Sequence, residues 1–233
     1  MSLHLMKALE ILKKSLLELS AMVEESVHRS VKSIELRDTD LAQKIVEYDI
    51  EIDKKEVEVE EECLKILALH QPVAIDLRFI VAVLKINSDL ERIGDLAVNI
   101  AKRAFHLANF QKAEYSFDFS TMAQKSTMML KKALDSLVNM DTDLAREVGA
   151  ADDEVDDMKR KMTIQVKEAI AKDPLQTEQY LQYMSIARHL ERVADHAANI
   201  AEDVLYMIEG EIVRHKWSEK KKGDCLKSGD LSE

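Results

Sequence analysis

Acidic residues recur in pairs with a spacing of four along this chain of 233 residues. The four pairs are, in chain order, Asp49 and Asp53, Glu91 and Asp95, Asp152 and Asp156, and Glu191 and Asp195. Residues four apart lie on the same face of an α-helix, so each pair would place two carboxylates side by side. Carboxylate oxygens bind hard cations, and bridging carboxylates also suit iron and manganese. These residue types and spacings therefore predict metal binding.

The four pairs belong to an internal duplication. Residues 38–42 recur unchanged at 141–145, an offset of 103, and carry the first pair of each half after them. Residues 89–101 match 189–201 at eight of thirteen positions, an offset of 100. The duplication predicts that each half carries one group of four carboxylates.

The turn between the second and third helices of each half sets the level of the acids. Asp49 lies 22 residues before Gln71, and Glu91 lies 20 residues after it. The second half repeats this arrangement about Pro174. Because residues equidistant from the turn of a helical hairpin lie side by side, the four acids of a half are expected to meet at one level. The acids flank an apolar seam, so the sites are expected on the bundle surface.

The composition predicts an all-α fold. Glycine (5 residues) and proline (2 residues) are too scarce for the many turns of a sandwich or barrel. Apolar residues at helical spacing form a seam in the third helix, which the sixth repeats. The two seams are Val83, Ile86, Leu90, Ile93, Ala97, Ile100 and Ala104, and Leu190, Val193, Ala197, Ile200 and Val204. Such seams indicate two tandem three-helix bundles, six long helices in all.

The predicted domains are residues 1–110, 111–217 and a disordered tail at 218–233. The first helix of each half is expected at about 4–36 and 116–140. The tail is predicted because lysine, serine, glycine and aspartate dominate it.

Two further signals fix the helix order within each half. Asp38 and Asp141 are expected to cap the second helices through their side-chain oxygens. Pro72 and Pro174 lie between the second and third helices, where proline suits the first turn of the next helix.

Charge and cysteine content limit the partners and the compartment. The net charge of −11 and the pI near 5.2 argue against nucleic acid as a partner and favour a cationic partner or bound metal. Two cysteines, Cys63 and Cys225, do not make a disulfide framework and favour a reducing compartment. No signal peptide and no apolar stretch long enough to span a membrane is predicted, so a soluble protein is expected.

Further ligand candidates lie near the acids. They are Asn99, His196 and Asn199 on the third and sixth helices, and Glu24, Glu25 and His28 on the first helix. Two alternatives to a metal-binding scaffold remain. The Glu25-x-x-His28 spacing fits a carboxylate-bridged diiron oxidase of the ferritin-like kind, but such a site needs two of these motifs. The other alternative is a metal-free helical adaptor whose acids form a solvated face.

Three motifs combine in a pattern typical of one family. They are Asp49-x-x-x-Asp53, Gln71-Pro-x-x-x-Asp76-Leu-Arg78, and the twin Glu-Arg-[Ile/Val]-[Gly/Ala]-Asp segments at 91–95 and 191–195. With these motifs, residues 5–215 resemble PhoU proteins, the accessory regulators of bacterial phosphate-specific transport. The second half has Gln176-Thr-Glu178 in place of Asp76-Leu-Arg78, so a role for Arg78 would belong to one half only.

The resemblance implies multinuclear metal clusters on the surface of two three-helix bundles. The implied metal is iron, with manganese, zinc or magnesium as other candidates. The implied ligands are Asp49, Asp53, Glu91 and Asp95 in one half, and Asp152, Asp156, Glu191 and Asp195 in the other.

The resemblance also implies a function without catalysis. PhoU proteins are negative regulators that connect the ATPase subunit of the phosphate transporter with a membrane sensor histidine kinase. A homodimer or higher oligomer is implied. The implied location is the cytoplasm, at the inner face of the membrane through protein partners.

Overall fold

The computed structural model describes residues 3–111 and 117–211, which form six α-helices and no strand. The helices are α1 (Leu3–Leu36), α2 (Thr39–His70), α3 (Ala74–Ala108), α4 (Phe119–Asn139), α5 (Thr142–Lys172) and α6 (Thr177–Glu209). The predicted fold class, all-α with three helices in each half, is confirmed. The predicted tail at 218–233 lies outside the described residues, and the domain limits stay a prediction.

Side-chain caps begin the second helix of each half as expected. Asp38 accepts a hydrogen bond from the amide of Leu41 at 2.9 Å. Asp141 accepts from the amides of Asp143 and Leu144 at 2.9 and 3.0 Å. These bonds pair amides that have no partner within the helix, and each such cap typically contributes about 1 kcal/mol.

The two prolines lie between the second and third helices in different ways. Pro174 begins a short 3₁₀ helix, Pro174–Gln176, which leads directly into α6. Pro72 instead lies in the turn, two residues before α3 begins at Ala74. Gln71 closes α2 with a left-handed backbone, φ 45°, so the first half turns before its proline, not at it.

Helices α3 and α6 pack against each other and form the centre of the molecule. Every residue of the two predicted seams is buried. Polar contacts show that the pair is antiparallel: Lys85 lies 3.1 Å from Asp203, and Arg103 lies 3.1 Å from Gln182. Helices α1 and α2 cover α3, while α4 and α5 cover α6. The third helix of each half therefore forms most of the interface with the other half.

The structure also describes Cys63 and the apolar character of the helices. Cys63 is a buried free thiol whose pKa is raised to about 12, chiefly by burial, so it is unreactive at neutral pH. Within residues 3–111 and 117–211, no helix has both the length and the apolar character that a membrane crossing requires.

Candidate metal centre

The first group of acids is assembled by α2 and α3. Asp49 and Asp53 lie on α2, and Glu91 and Asp95 lie on α3. Burial raises the pKa of Asp49, and repulsion from Asp53, Asp95 and Glu91 raises it further, so the four carboxylates lie within electrostatic range of one another. Asp53 and Asp95 are exposed, which places the group on the bundle surface as expected.

Close packing of α2 on α3 brings the first group together at Gly94. A Cβ atom built at Gly94 would lie 3.3 Å from Cγ2 of Ile52 and 3.5 Å from Oδ1 of Asp49. The glycine therefore leaves room for the fully buried Ile52 and for the carboxylate above it. In the second half, Val155 and Ala194 occupy the equivalent positions, a smaller side chain on α5 beside a larger one on α6.

Two acids of the first group have raised pKa values because they are partly buried and lie near other acids. The pKa of Asp49 is raised from 3.8 to about 6, first by burial and then by repulsion from Asp53, Asp95 and Glu91. The pKa of Glu91 is also raised, by burial and by Asp95 and Asp53. Arg92 offsets part of the charge, with Nε 3.3 Å from Glu91 and Nη1 3.5 Å from Asp95. A cation among the acids would relieve the remaining repulsion.

A fifth carboxylate, Glu56, belongs to the first group and was missed by the sequence pattern. Burial and repulsion from Glu60, Glu91 and Asp53 raise its pKa. The amide of Asn87 holds this residue from α3, because it donates to the backbone oxygen of Glu56 at 3.0 Å and to Oε1 at 2.9 Å.

The second group is assembled in the same way by α5 and α6. The pKa of Asp195 is raised from 3.8 to about 6, first by burial of its carboxyl group and then by repulsion from Asp152, Glu191 and Asp156. All four predicted acids of this half therefore interact. Arg192 forms no ion pair within the described part of the chain, unlike its counterpart Arg92.

Lysine replaces the fifth carboxylate in the second group. Lys159 stands at the position equivalent to Glu56, and its Nζ lies 2.9 Å from Oε1 of Glu191. The signal for both residues was present in the sequence, because position 56 and position 159 break the repeat at an offset of 103. The two groups therefore differ in charge although they share the same four acids.

A hydrogen bond across the two halves lies between the groups. Nδ1 of His196 lies 2.8 Å from Oδ1 of Asp89, and the amide of Asn199 lies 3.4 Å from the same oxygen. His196 lies within electrostatic range of both groups, because it opposes a small part of the rise in the pKa of Glu91 and of Asp195. His196 and Asn199 were expected to orient ligands, and the structure shows that they hold the two halves together beside both groups.

The first-helix candidates lie elsewhere. Glu24, Glu25 and His28 line a cleft of about 350 Å³ together with Thr127 and Lys131 of α4. They lie on the side of α1 that faces α4. This placement gives no support to the expectation that they act as outer ligands of the first group, or to a diiron site built on Glu25-x-x-His28.

Both groups fit a metal ion in their chemistry, although neither forms a closed cage. No set of three or more His, Cys, Asp or Glu side chains in residues 3–111 and 117–211 is arranged around one point. The donor sets consist of oxygen atoms, which hard cations and carboxylate-bridged iron or manganese prefer. The raised pKa values of Asp49 and Asp195 show acids whose charge a cation would stabilise.

Comparison with known proteins decides the family. The sequence profile described as "PhoU domain" matches this chain twice, over residues 16–104 and 119–204. The chain belongs to the PhoU family. Each match covers one half, with its own group of four acids.

Full-length relatives agree with this assignment. The chain is 36% identical over 208 residues to the phosphate-specific transport system accessory protein PhoU homolog 1 of Thermotoga maritima, covering 89% of this chain and 90% of that protein. It is 36% identical over 208 residues to the PhoU homolog of Pseudomonas aeruginosa, covering 89% and 86%.

Solved PhoU structures share the fold. The crystal structure of PhoU from Pseudomonas aeruginosa superposes with a TM-score of 0.86 at 34% identity, covering 88% of this chain and 99% of that one. PhoU from Streptococcus pneumoniae, a phosphate transport system regulatory protein, gives 0.81 at 29% identity, covering 90% and 99%. The duplicated bundle of this PhoU protein is therefore that of its family.

Proposed function

We propose that this chain is a non-enzymatic regulator of phosphate uptake whose two acidic groups hold metal clusters. The observation that carries the proposal is the pair of interacting carboxylate groups at equivalent places in the two halves. Family membership supports the regulatory role, because the relatives bear the names of accessory and regulatory proteins of phosphate transport.

The residues that would hold metal are the four acids of each group, with Glu56 as an additional oxygen donor in the first half. A bound cluster would supply positive charge between helices that otherwise repel each other through their acids. Asp49 is held on α2 above Ile52, and Gly94 admits it close to α3. These residues would therefore tie α2 to α3, and their counterparts would tie α5 to α6. Iron is the metal we propose first, followed by manganese, zinc and magnesium.

We further propose that the chain acts in the cytoplasm as a scaffold between the ATPase subunit of the phosphate transporter and a membrane sensor histidine kinase. In this role it would damp both uptake and signalling, as a homodimer or a higher oligomer. Partner affinity would depend on the metal if partners prefer the bundle shape that the loaded groups stabilise.

Elemental analysis tests the metal sites. Untagged protein purified without chelator is compared with the double variant Asp95→Ala/Asp195→Ala. A matched control is Glu61→Ala/Glu168→Ala, which removes one exposed acid from α2 and one from α5. Several equivalents of metal in the wild type and in the control, lost in the first variant, are expected. Equal metal content in all three would leave a metal-free adaptor as the better account.

Partner binding tests the regulatory step separately. Affinity for the transporter ATPase subunit and for the kinase is measured before and after metal removal. A loss on removal is expected, with the Asp95→Ala/Asp195→Ala protein matching the metal-free state. Identical affinities in both states would refute metal control and leave the scaffold role intact.

A further inference from the structure

Charge is distributed unequally between equivalent positions of α3 and α6. Four of the positions that differ between the halves at the offset of 100 alter the charge along this helix pair. They are Lys85 and Ser185, Ser88 and Arg188, Asp89 and His189, and Arg103 and Asp203. As a result, the two ends of this helix pair have different electrostatics although the backbone is duplicated.

At one end the charges are compensated. Lys85 lies 3.1 Å from the buried Asp203 and 4.8 Å from the ring centre of Tyr206. Asp89 bonds to His196. Acidic and basic side chains pair with each other here, so no bound ion is needed to neutralise charge at this end.

Along the N-terminal half of α6, three arginines form no ion pair with a carboxylate of the described residues. Nη1 of Arg103 donates to Oε1 of Gln182 at 3.1 Å, and Nε donates to the backbone oxygen of Asn99 at 3.4 Å. Both acceptors are neutral. Arg188 and Arg192 are exposed and form no ion pair among residues 3–111 and 117–211.

Helix spacing places the donors together. Gln182, Ser185, Arg188, His189 and Arg192 span about a third of the circumference of α6, because each residue advances about 100°. Arg103 reaches this stripe from α3 through Gln182. The stripe is therefore a set of donors on one side of the helix pair, with Arg103 at its edge.

His189 lies within electrostatic range of Arg103, Arg188 and Arg192. Its Nε2 lies 3.3 Å from the hydroxyl of Ser185. Its Nδ1 is buried and has no hydrogen-bond partner in the described part of the chain. The ring and the hydroxyl therefore add polar groups beside the arginines.

Three neighbouring arginines that form no ion pair within residues 3–111 and 117–211 are unusual in a chain with a net charge of −11. Like charges held together repel, and a bound anion removes that repulsion. The planar guanidinium fork matches the oxygen geometry of phosphate and forms paired, charge-assisted hydrogen bonds with it. We infer that Arg103, Arg188 and Arg192, with the hydroxyl of Ser185, form a binding site for a tetrahedral oxyanion such as inorganic phosphate, beside the N-terminal half of α6 and away from the Lys85–Asp203 ion pair.

This inference goes beyond the proposed function and does not depend on the metal sites. The two sites are nevertheless neighbours along α6, since Glu191 and Arg192 are adjacent. A phosphate ion bound by a metal cluster at the acidic groups would also appear as phosphate binding, so the experiment must distinguish that site from the arginines.

Equilibrium dialysis with radiolabelled inorganic phosphate tests the site on the full chain. The wild type is compared with Arg103→Gln/Arg188→Gln and with a control, Arg29→Gln/Arg160→Gln, which removes two arginines that pair with Glu25 and Asp157. Saturable binding of one phosphate per chain is expected. Losing two charge-assisted contacts should weaken it by about tenfold or more. The control should bind as the wild type does.

A third protein, Asp49→Asn/Asp152→Asn, separates the arginines from the acids. Phosphate binding that persists in this variant supports the arginine site, whereas binding lost only here would place the phosphate at the acidic groups and overturn the inference. Absence of saturable binding, equal loss in the arginine control, or equal displacement by acetate at the same ionic strength would also overturn it. Displacement by sulfate but not by acetate is the expected competition result.

Discussion

Glu56 and Lys159 occupy equivalent positions in the two halves but carry opposite charges. Glu56 adds a carboxylate to the first acidic group, whereas Lys159 forms an ion pair with Glu191 in the second, at 2.9 Å. At this position the first group therefore attracts cations more strongly. The backbone around both groups is duplicated, and the charge at this position is one of the differences between them.

Metal titration should reveal two classes of site in the chain. Asp152→Asn leaves the first group as the intact one, and Asp49→Asn leaves the second. The protein that keeps the first group should bind Mn²⁺ about tenfold or more tightly than the other, a difference of roughly 1.4 kcal/mol from the charge difference at one position. Isothermal titration calorimetry measures both constants.

A charge swap provides the control for this difference. Lys159→Glu should raise the affinity of the second group toward that of the first. The explanation fails if Lys159→Glu leaves the affinity of the second group unchanged.

The stability of the metal-free protein should rise as the pH falls from about 6 to about 4. The folded-state pKa values of Asp49 and Asp195 lie near 6, above their usual 3.8. A raised carboxyl pKa means that the folded state binds the proton more tightly, so these acids destabilise the fold above pH 6 and cease to do so below about pH 4. After allowance for solvent exposure, each contributes on the order of 1 kcal/mol.

Urea denaturation at several pH values measures this effect. Asp49→Asn should raise the free energy of unfolding at pH 7 and flatten its pH dependence between 6 and 4. Added metal should likewise stabilise the wild type at pH 7. A wild type and an Asp49→Asn variant with parallel pH profiles would show that Asp49 does not titrate as described.

The packing of Gly94 against Ile52 predicts a compensating double substitution. Gly94→Ala alone places a methyl group 3.3 Å from Ile52 Cγ2, which we expect to cost about 1 kcal/mol or more despite the better helix propensity of alanine. Ile52→Val with Gly94→Ala reproduces the Val155 and Ala194 combination of the second half. Loss of Cδ1, 3.7 Å from the added methyl group, gives the remaining γ carbons room to shift and should recover part of the loss. Thermal unfolding of the two single variants and the double variant gives the coupling energy, and additive effects would contradict the packing argument.

Gly210 should resist substitution because of Arg78. Its backbone is left-handed, φ 77°, and a Cβ there would lie 2.0 Å from Nη1 of Arg78. Gly210→Ala must therefore strain the backbone, at about 1 kcal/mol, and displace the flexible end of the Arg78 side chain, which adds a smaller cost. Gly210→Ala made in an Arg78→Ala background should cost only the backbone part, about 1 kcal/mol. Chemical denaturation compares the two costs, which would be equal if Arg78 were not displaced.

The fold and the level of the eight acids could be predicted because helical period and distance from a turn can both be counted along the sequence. Seams such as Ile86 and Leu90 depend on helical period, and the level of Asp49 and Glu91 depends on counting residues from a turn. Rotation of a helix about its own axis is not contained in such counts. Glu24 and His28 were predicted to be level with Asp49, yet α1 turns them toward α4.

The partners of the acids were harder to anticipate than the acids themselves. Glu56 does not belong to a spacing of four with Asp53, so a motif search passes over it, and its contact with Asn87 depends on packing between helices. The arginine stripe on α6 was hidden for a similar reason, since Arg103 joins it from another helix.

The antiparallel pairing of α3 with α6 has a consequence for the origin of such a chain. Lys85 contacts Asp203, and Arg103 contacts Gln182. At the offset of 100, Asp203 is equivalent to position 103, and Gln182 lies within one helical turn of the equivalent of position 85. The same two positions therefore face each other twice across the interface. This is the arrangement of two copies related by a two-fold axis, as in a closed homodimer. A single three-helix ancestor would satisfy the same interface with two identical copies. Fusion of those copies into one chain would remove the requirement that both halves have the same sequence. One half can then carry Lys159 where the other carries Glu56.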